Sequence, residues 1–164
     1  MRKPPFFVSS PAPNGTDCCG ALSVADLKSI PGSPEEVVAA LEIPDYGFGE
    51  MALYNDSGLV NYIPSSSDST LGFSSFAYAG NPLTIYSLPF TSAQSAFFNT
   101  VRITAEGLQY TVPGCCYGGN NTTGAEVVSD GSLLYTSAGE VWNPASQTQV
   151  GAFPLNTYND TSYP

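Results

Sequence analysis

The chain has 164 residues, 42% hydrophobic and 12% aromatic, so it can bury a core and is too apolar for a disordered polymer. Four Lys and Arg against fourteen Asp and Glu give a net charge of −10, which leaves no basic cluster to track phosphates and excludes a nucleic-acid surface. Histidine is absent, which removes Ser-His-Asp and Cys-His catalysis and imidazole metal ligation together.

Residues 1–20 form a Pro-, Gly- and Ser-rich irregular segment with one expected strand, Pro5–Ser9. The start is basic, but Phe6-Phe7-Val8 is far too short for a secretory apolar core. No apolar run approaches the roughly 18 residues of a membrane span, so no membrane insertion is expected. The chain reads as a piece of a longer exported protein, extracellular or periplasmic.

Strand material begins at Ala21–Val24 and passes the turn Pro31–Pro34 to Val37–Leu41. Pro34-Glu35-Glu36 also resembles the first turn of a helix, but about eight residues bounded by Pro44 favour a strand. Met51–Tyr54, the turn Asn55–Gly58 and Leu59–Ile63 follow. The middle section repeats that order with Phe73–Tyr78, Leu83–Tyr86, Ala96–Thr104 and Leu108–Val112. From Glu126 to Phe153, short apolar runs at Val127, Leu133, Val141 and Val150 alternate with Asp130-Gly131-Ser132, Ser137-Ala138-Gly139 and Asn143–Ser146, all suited to tight turns.

Four short strands joined by turns make an antiparallel meander, the unit of a β-propeller blade. Tyr54, Ile103 and Trp142 stand at equivalent places 49 and 39 residues apart, and Val38, Ile85 and Tyr135 are 47 and 50 apart. Those intervals bracket a blade period of about 40–50 residues and argue against a solenoid of shorter repeat. The fold expected is therefore all-β, a partial β-propeller of about three blades at 21–64, 70–113 and 124–155, with a tail at 156–164. Propellers close with typically 4–8 blades, so three blades alone would expose apolar faces and self-associate.

Three stretches resemble a known family. Asp26–Val38 is similar to a DIAVLPGSPETVAVS-like segment, Met51–Gly58 to the GVAIYDNG-like strand and turn that follows it, and Asp130–Ala145 to an NGLIYASNGQVVNPAT-like blade. Together they resemble the large exported propeller proteins of soil acidobacteria and their relatives, loosely the lactonase-like or YVTN-type repeat class. The resemblance implies an extracytoplasmic repeat protein and carries no catalytic residues over to this chain.

The four cysteines form two vicinal pairs, Cys18-Cys19 and Cys115-Cys116, expected in linkers before an innermost strand. Vicinal disulfides, bridges between the two pairs and free thiols all remain open; oxidation suits an exported chain. A soft-metal site is disfavoured because the pairs lack C-x₂-C spacing. Asn14, Asn55, Asn120, Asn121 and Asn159 each open an Asn-X-Ser/Thr sequon, which turn chemistry explains as well as glycosylation. Asn55–Gly58 and Asp130–Ser132 lack the alternating oxygens and bidentate carboxylate of a calcium loop and read as hairpin turns. Glu35-Glu36 and Glu42 with Asp45 are the close acidic clusters, read as solvated charges rather than a glycosidase pair. Trp142 reads as filler between blades rather than a sugar platform.

The function these features favour is a non-catalytic scaffold or binding module for a protein or carbohydrate ligand, needing no cofactor. The alternatives are a lactonase- or lyase-like enzyme fragment, its site completed by missing blades, and a cell-surface adhesion repeat.

Overall fold

The structure, a computed structural model, describes residues 23–42, 49–64, 73–80, 83–88, 96–118 and 126–154. It is all-β, with three four-stranded antiparallel sheets. The first holds β1 (Ser23–Ile30), β2 (Ser33–Glu42), β3 (Gly49–Asn55) and β4 (Gly58–Ile63) in chain order. The second holds β5 (Ser75–Ala79), β6 (Thr84–Leu88), β7 (Ala96–Thr104) and β8 (Gly107–Gly118). The third holds β9 (Val127–Ser129), β10 (Leu134–Thr136), β11 (Glu140–Asn143) and β12 (Thr148–Ala152).

Each hairpin follows its turn chemistry. Gly32, Gly58, Gly107 and Gly139 adopt positive φ where strands reverse, a region that costs side chains but not glycine. Asn55 Oδ1 accepts the Ser57 N–H at 2.8 Å, and Asn143 Oδ1 accepts Ala145 and Ser146 N–H at 2.9 and 3.2 Å. These are Asx turns, in which the side chain supplies the acceptor that a reversing main chain lacks. The helical option at Pro34–Leu41 is not taken. Ser33–Glu42 is strand throughout, because Val37 to Leu41 pair with Glu50 to Tyr54 on β3 and alternate between two packed faces.

The sheets stack in chain order, and like strands lie against like strands. Between the first two sheets, β1 adjoins β5 and β4 adjoins β8. Between the second and third, β5 adjoins β9 and β8 adjoins β12. Each sheet thus has a leading face, turned toward the preceding sheet, and a trailing face, turned toward the next.

The trailing face of sheet one contributes Ile30, Val38, Ala40, Met51, Leu53 and Ile63 to the larger core. Phe76, Ile85, Val101 and Leu108 meet them from the leading face of sheet two. A second core sets Ala77, Ala79 and Phe98 on the trailing face of sheet two against Val127, Leu134 and Trp142 of sheet three. Burying one such side chain contributes about 1.5–3 kcal/mol, so the two layers between sheets dominate the stability.

Residue by residue, the expected repeat holds for the third strands. Tyr54, Ile103 and Trp142 lie on β3, β7 and β11, and strand pairing puts all three on leading faces. For the second strands it holds by strand only. Val38 faces the larger core on a trailing face and Ile85 on a leading face, while Tyr135 faces outward on the trailing side. The expected strand Pro5–Ser9 and the tail at 156–164 lie outside the described residues.

Candidate functional site

The densest set of charged and polar groups lies where β1 meets β5. Asp26 and Lys28 share the trailing side of β1, two residues apart, and form an ion pair. Lys28 Nζ also donates to the Phe76 carbonyl and stands 4.5 Å from the Phe76 ring centroid, a cation–π geometry. The main-chain N–H of Phe76 donates to Asp26 Oδ2 at 3.1 Å, and the Tyr78 hydroxyl donates to the Lys28 carbonyl at 3.2 Å. Burial, reinforced by the Asp26 charge, holds the Tyr78 hydroxyl far above the usual phenol range. The ring of Phe76 meets Tyr78 edge-on at 5.6 Å. Apart from the Asp26–Lys28 ion pair within β1 and the Phe76–Tyr78 contact within β5, these bonds run between the sheets, so chemistry that looks like a site in isolation works here as a clamp.

The clamp recurs one repeat later. Ser75 Oγ on β5 accepts the main-chain N–H of Val127 on β9 at 3.1 Å, across 52 residues, where the Asp26–Phe76 bond spans 50. A second main-chain bond from Gly80 N–H to the Gly131 carbonyl, 3.0 Å, ties the same two sheets. At the opposite rim, Asn61 on β4 donates to the Leu108 carbonyl and accepts the Leu108 N–H. None of these pairs is legible as a motif. What marks them is position, about fifty residues apart at equivalent places in successive sheets.

Asp130 is the most heavily bonded acid among the described residues. It accepts the Tyr135 hydroxyl at 2.6 Å, the N–H groups of Ser132 and Leu133 at 2.8 Å each, and the Ser132 hydroxyl at 2.9 Å. The Tyr135 bond, then those to Leu133 and Ser132, hold its carboxyl well below the ordinary range. Three of these four bonds come from Ser132 and Leu133 beside Asp130 in the turn, and the fourth reaches it from Tyr135 on β10.

Trp142 is 5% exposed and packs edge-on against Phe98 of the neighbouring sheet, centroids 6.2 Å apart. Its indole N–H donates to Glu140 Oε2 at 3.1 Å. It fills the space between sheets, as expected. Glu35 and Glu36 are adjacent on β2 and so point to opposite faces, which parts them as a pair. Glu42 ends β2, and Asp45 lies outside the described residues. Burial raises the Glu50 carboxyl on β3, beside Tyr54.

The cysteine placement needs correction. Cys115 and Cys116 belong to β8, a fourth strand, with Cys115 in register with Phe98 on β7. They do not sit in a linker before a first strand, because β8 continues through Gly118 paired along β7 as far as Ala96. Their side chains, and Cys18 and Cys19 entirely, lie outside the described residues, as do Asn14, Asn120, Asn121 and Asn159. Among the described residues no three His, Cys, Asp or Glu come together as a metal-ligand set, and no helix is long and apolar enough to cross a membrane.

Comparison with protein-family models, curated proteins and solved structures gave no match.

Proposed function

We propose that the chain is a run of three β-propeller blades acting as a non-catalytic scaffold or binding module of a larger exported protein. The observation that carries this reading is the clamp between first strands, Asp26 to Phe76 and Ser75 to Val127, recurring at 50 and 52 residues. A repeat that ties each sheet to the next at one rim, with like strands stacked, is how blades arrange around a common axis.

The non-catalytic part is supported by how the reactive groups are used. Asp26, Lys28, Tyr78, Asp130 and Tyr135 each serve a main-chain or neighbouring side-chain bond. The Trp142 indole is spent on packing and Glu140. A ligand, protein or carbohydrate, would then meet the hairpin tips and rims, where loops on rigid sheets commonly recognise partners.

Two measurements test the reading. An experimental structure of the chain should show the three sheets related by successive similar rotations about an axis near β1, β5 and β9; a flat stack would overturn the propeller. Incubation with a panel of simple γ- and δ-lactones, followed by pH-stat, should give no turnover above background. Sustained hydrolysis abolished by one substitution would overturn the non-catalytic assignment in favour of the enzyme alternative.

A further inference from the structure

We infer that the turn between β9 and β10 is a guarded modification site, in which Tyr135, Ser129, Ser132 and Leu133 keep the Asp130–Gly131 step from rearranging to isoaspartate. The inference concerns one hairpin and stands whether or not the sheets form a propeller.

The turn creates the hazard by its own geometry. Gly131 has φ +96° with nothing near the place of a Cβ, so glycine is needed there for its conformation rather than for lack of room. It follows an aspartate, and this is the one Asp-Gly step in the sequence. A side chain after aspartate hinders ring closure, and glycine has none.

The reaction is intramolecular and needs only water. The Gly131 main-chain nitrogen attacks Asp130 Cγ, an N–C bond forms, and the carboxyl hydroxyl departs as water with the proton of that nitrogen. Water then opens the five-membered succinimide. Attack at Cγ restores aspartate, whereas attack at the Asp130 main-chain carbonyl leaves the chain running through the side-chain carbon. The main chain is then one methylene longer between β9 and β10, where Ser129 pairs with Leu134 and Val127 with Thr136. Val127 and Leu134 belong to the core between sheets two and three, so the lesion would loosen that layer.

Both reacting groups are held. Asp130 Oδ1 accepts the Ser132 and Leu133 N–H groups and the Ser132 hydroxyl, and Oδ2 accepts the Tyr135 hydroxyl. Whichever oxygen leaves, at least one of these bonds must break first. Departure as water also requires a protonated carboxyl, and donors aimed at both oxygens favour the charged form. Tyr135 is the ionisable group that bears on Asp130 among the described residues. The nucleophile is held too: the Gly131 N–H donates to Ser129 Oγ at 2.9 Å, and the Gly131 carbonyl accepts the Gly80 N–H at 3.0 Å.

The whole chain is incubated at a series of pH values from neutral to mildly acidic, and peptide mapping with electron-transfer fragmentation reads isoaspartate at residue 130. Mapping keeps this signal apart from Asn14–Gly15, which can close the same ring with loss of ammonia. A synthetic peptide spanning Val127–Thr136 supplies the unguarded rate. The native chain should react at least tenfold more slowly than the peptide. Tyr135→Phe and Ser129→Ala should each accelerate it at least threefold while keeping the far-ultraviolet spectrum and melting curve.

The pH profile separates a guard from mere folding. The rate rises as the carboxyl takes up its proton, so the rise should come at lower pH in the native chain than in the peptide, and return part-way in Tyr135→Phe. A step slowed only by being folded would keep the peptide's profile and ignore both substitutions, which would overturn the inference. A native chain as reactive as the peptide would overturn it as well. If Tyr135→Phe lowers the melting temperature, Ser129→Ala and the native pH profile decide the matter by the same criteria.

Discussion

Asn61 and Leu108 lie 47 residues apart and bond to each other twice: the Asn61 amide donates to the Leu108 carbonyl at 3.2 Å, and its Oδ1 accepts the Leu108 N–H at 3.0 Å. A carboxamide carries its donor and its acceptor on separate atoms and so can bond both main-chain groups of one residue. The pair closes the outer rim of the first two sheets, opposite the Asp26–Phe76 clamp. Asn61→Ala leaves both groups of a residue that is 4% exposed without this partner, and should cost about 2–3 kcal/mol in denaturant unfolding. Asn61→Asp keeps the acceptor and should cost less. Equal losses in both variants would show that the donated bond carries the whole effect.

Gly107 sits beneath that pair. Its φ is +113°, and a Cβ there would come within 2.5 Å of Asn61 Cγ and Oδ1. Gly107→Ala therefore meets strain in the main chain and a clash with the side chain that clamps the rim. The expected loss is about 2–4 kcal/mol, from an unfavourable left-handed conformation plus overpacking. In an Asn61→Ala background the clash is relieved, so the two losses should sum to more than the double variant shows. Strict additivity would argue that Asn61 and Gly107 are uncoupled.

Trp142 should be the most sensitive position of the third sheet. It is nearly fully buried against Phe98 and shares its core with Leu134 and Val127. Trp142→Ala should cost about 3–5 kcal/mol, as for other large-to-small changes in a packed interior. Trp142→Phe keeps most of the ring and loses the bond to Glu140, and should cost about half as much. A loss below about 1 kcal/mol for the alanine variant would remove Trp142 from the sheet-to-sheet core.

The strand order and the meander were legible because turn residues punctuate the chain and local pairing needs no distant information. Asn55, Gly58, Gly107, Asp130 and Asn143 all stand at strand reversals. Ala96–Thr104 was readable to its limits because β-branched and aromatic residues fill it. The facing of each strand was harder. Period-two alternation fixes two sides but not which one meets which sheet, so Val38, Ile85 and Tyr135 look alike in sequence and face differently. The extension of β8 through Cys115 and Cys116 was hidden because Pro113 and Gly114 read as a stop. The clamps were invisible for a different reason. Asp26 and Ser75 share a position and not a residue type, and only the pairing of sheets reveals what that position does.

Alkaline pH should unfold the protein through its buried phenols. Burial raises Tyr54, Tyr78, Tyr86 and Tyr110, with Glu50 adding to the rise at Tyr54 and Asp26 at Tyr78, while Arg102 opposes it at Tyr86. The folded state therefore holds these protons more tightly than the unfolded chain. Their stabilisation is complete below the ordinary tyrosine value of about 10 and is lost as pH rises above it. Absorbance at 295 nm should show a group of tyrosines ionising together with loss of far-ultraviolet signal. Smooth, independent titration of every tyrosine in a folded protein would contradict their burial.

Asp130 gives the corresponding acid-side test. Its carboxylate is held by the Tyr135 hydroxyl first, then by the Leu133 and Ser132 N–H groups and the Ser132 hydroxyl, and its pKa is depressed. A depressed carboxyl adds stability that is complete above the unfolded value, about 3.9, and declines as pH falls below it. Tyr135→Phe removes the largest of these contributions and leaves the turn's N–H donors in place. The Asp130 carboxyl resonance, followed by carbon NMR from neutral pH downward, should titrate below the ordinary range in the native chain. In Tyr135→Phe it should move upward while staying below an unperturbed aspartate. An unchanged midpoint would mean that the turn alone holds the charge and that the Tyr135 hydroxyl is free for other partners on the trailing face.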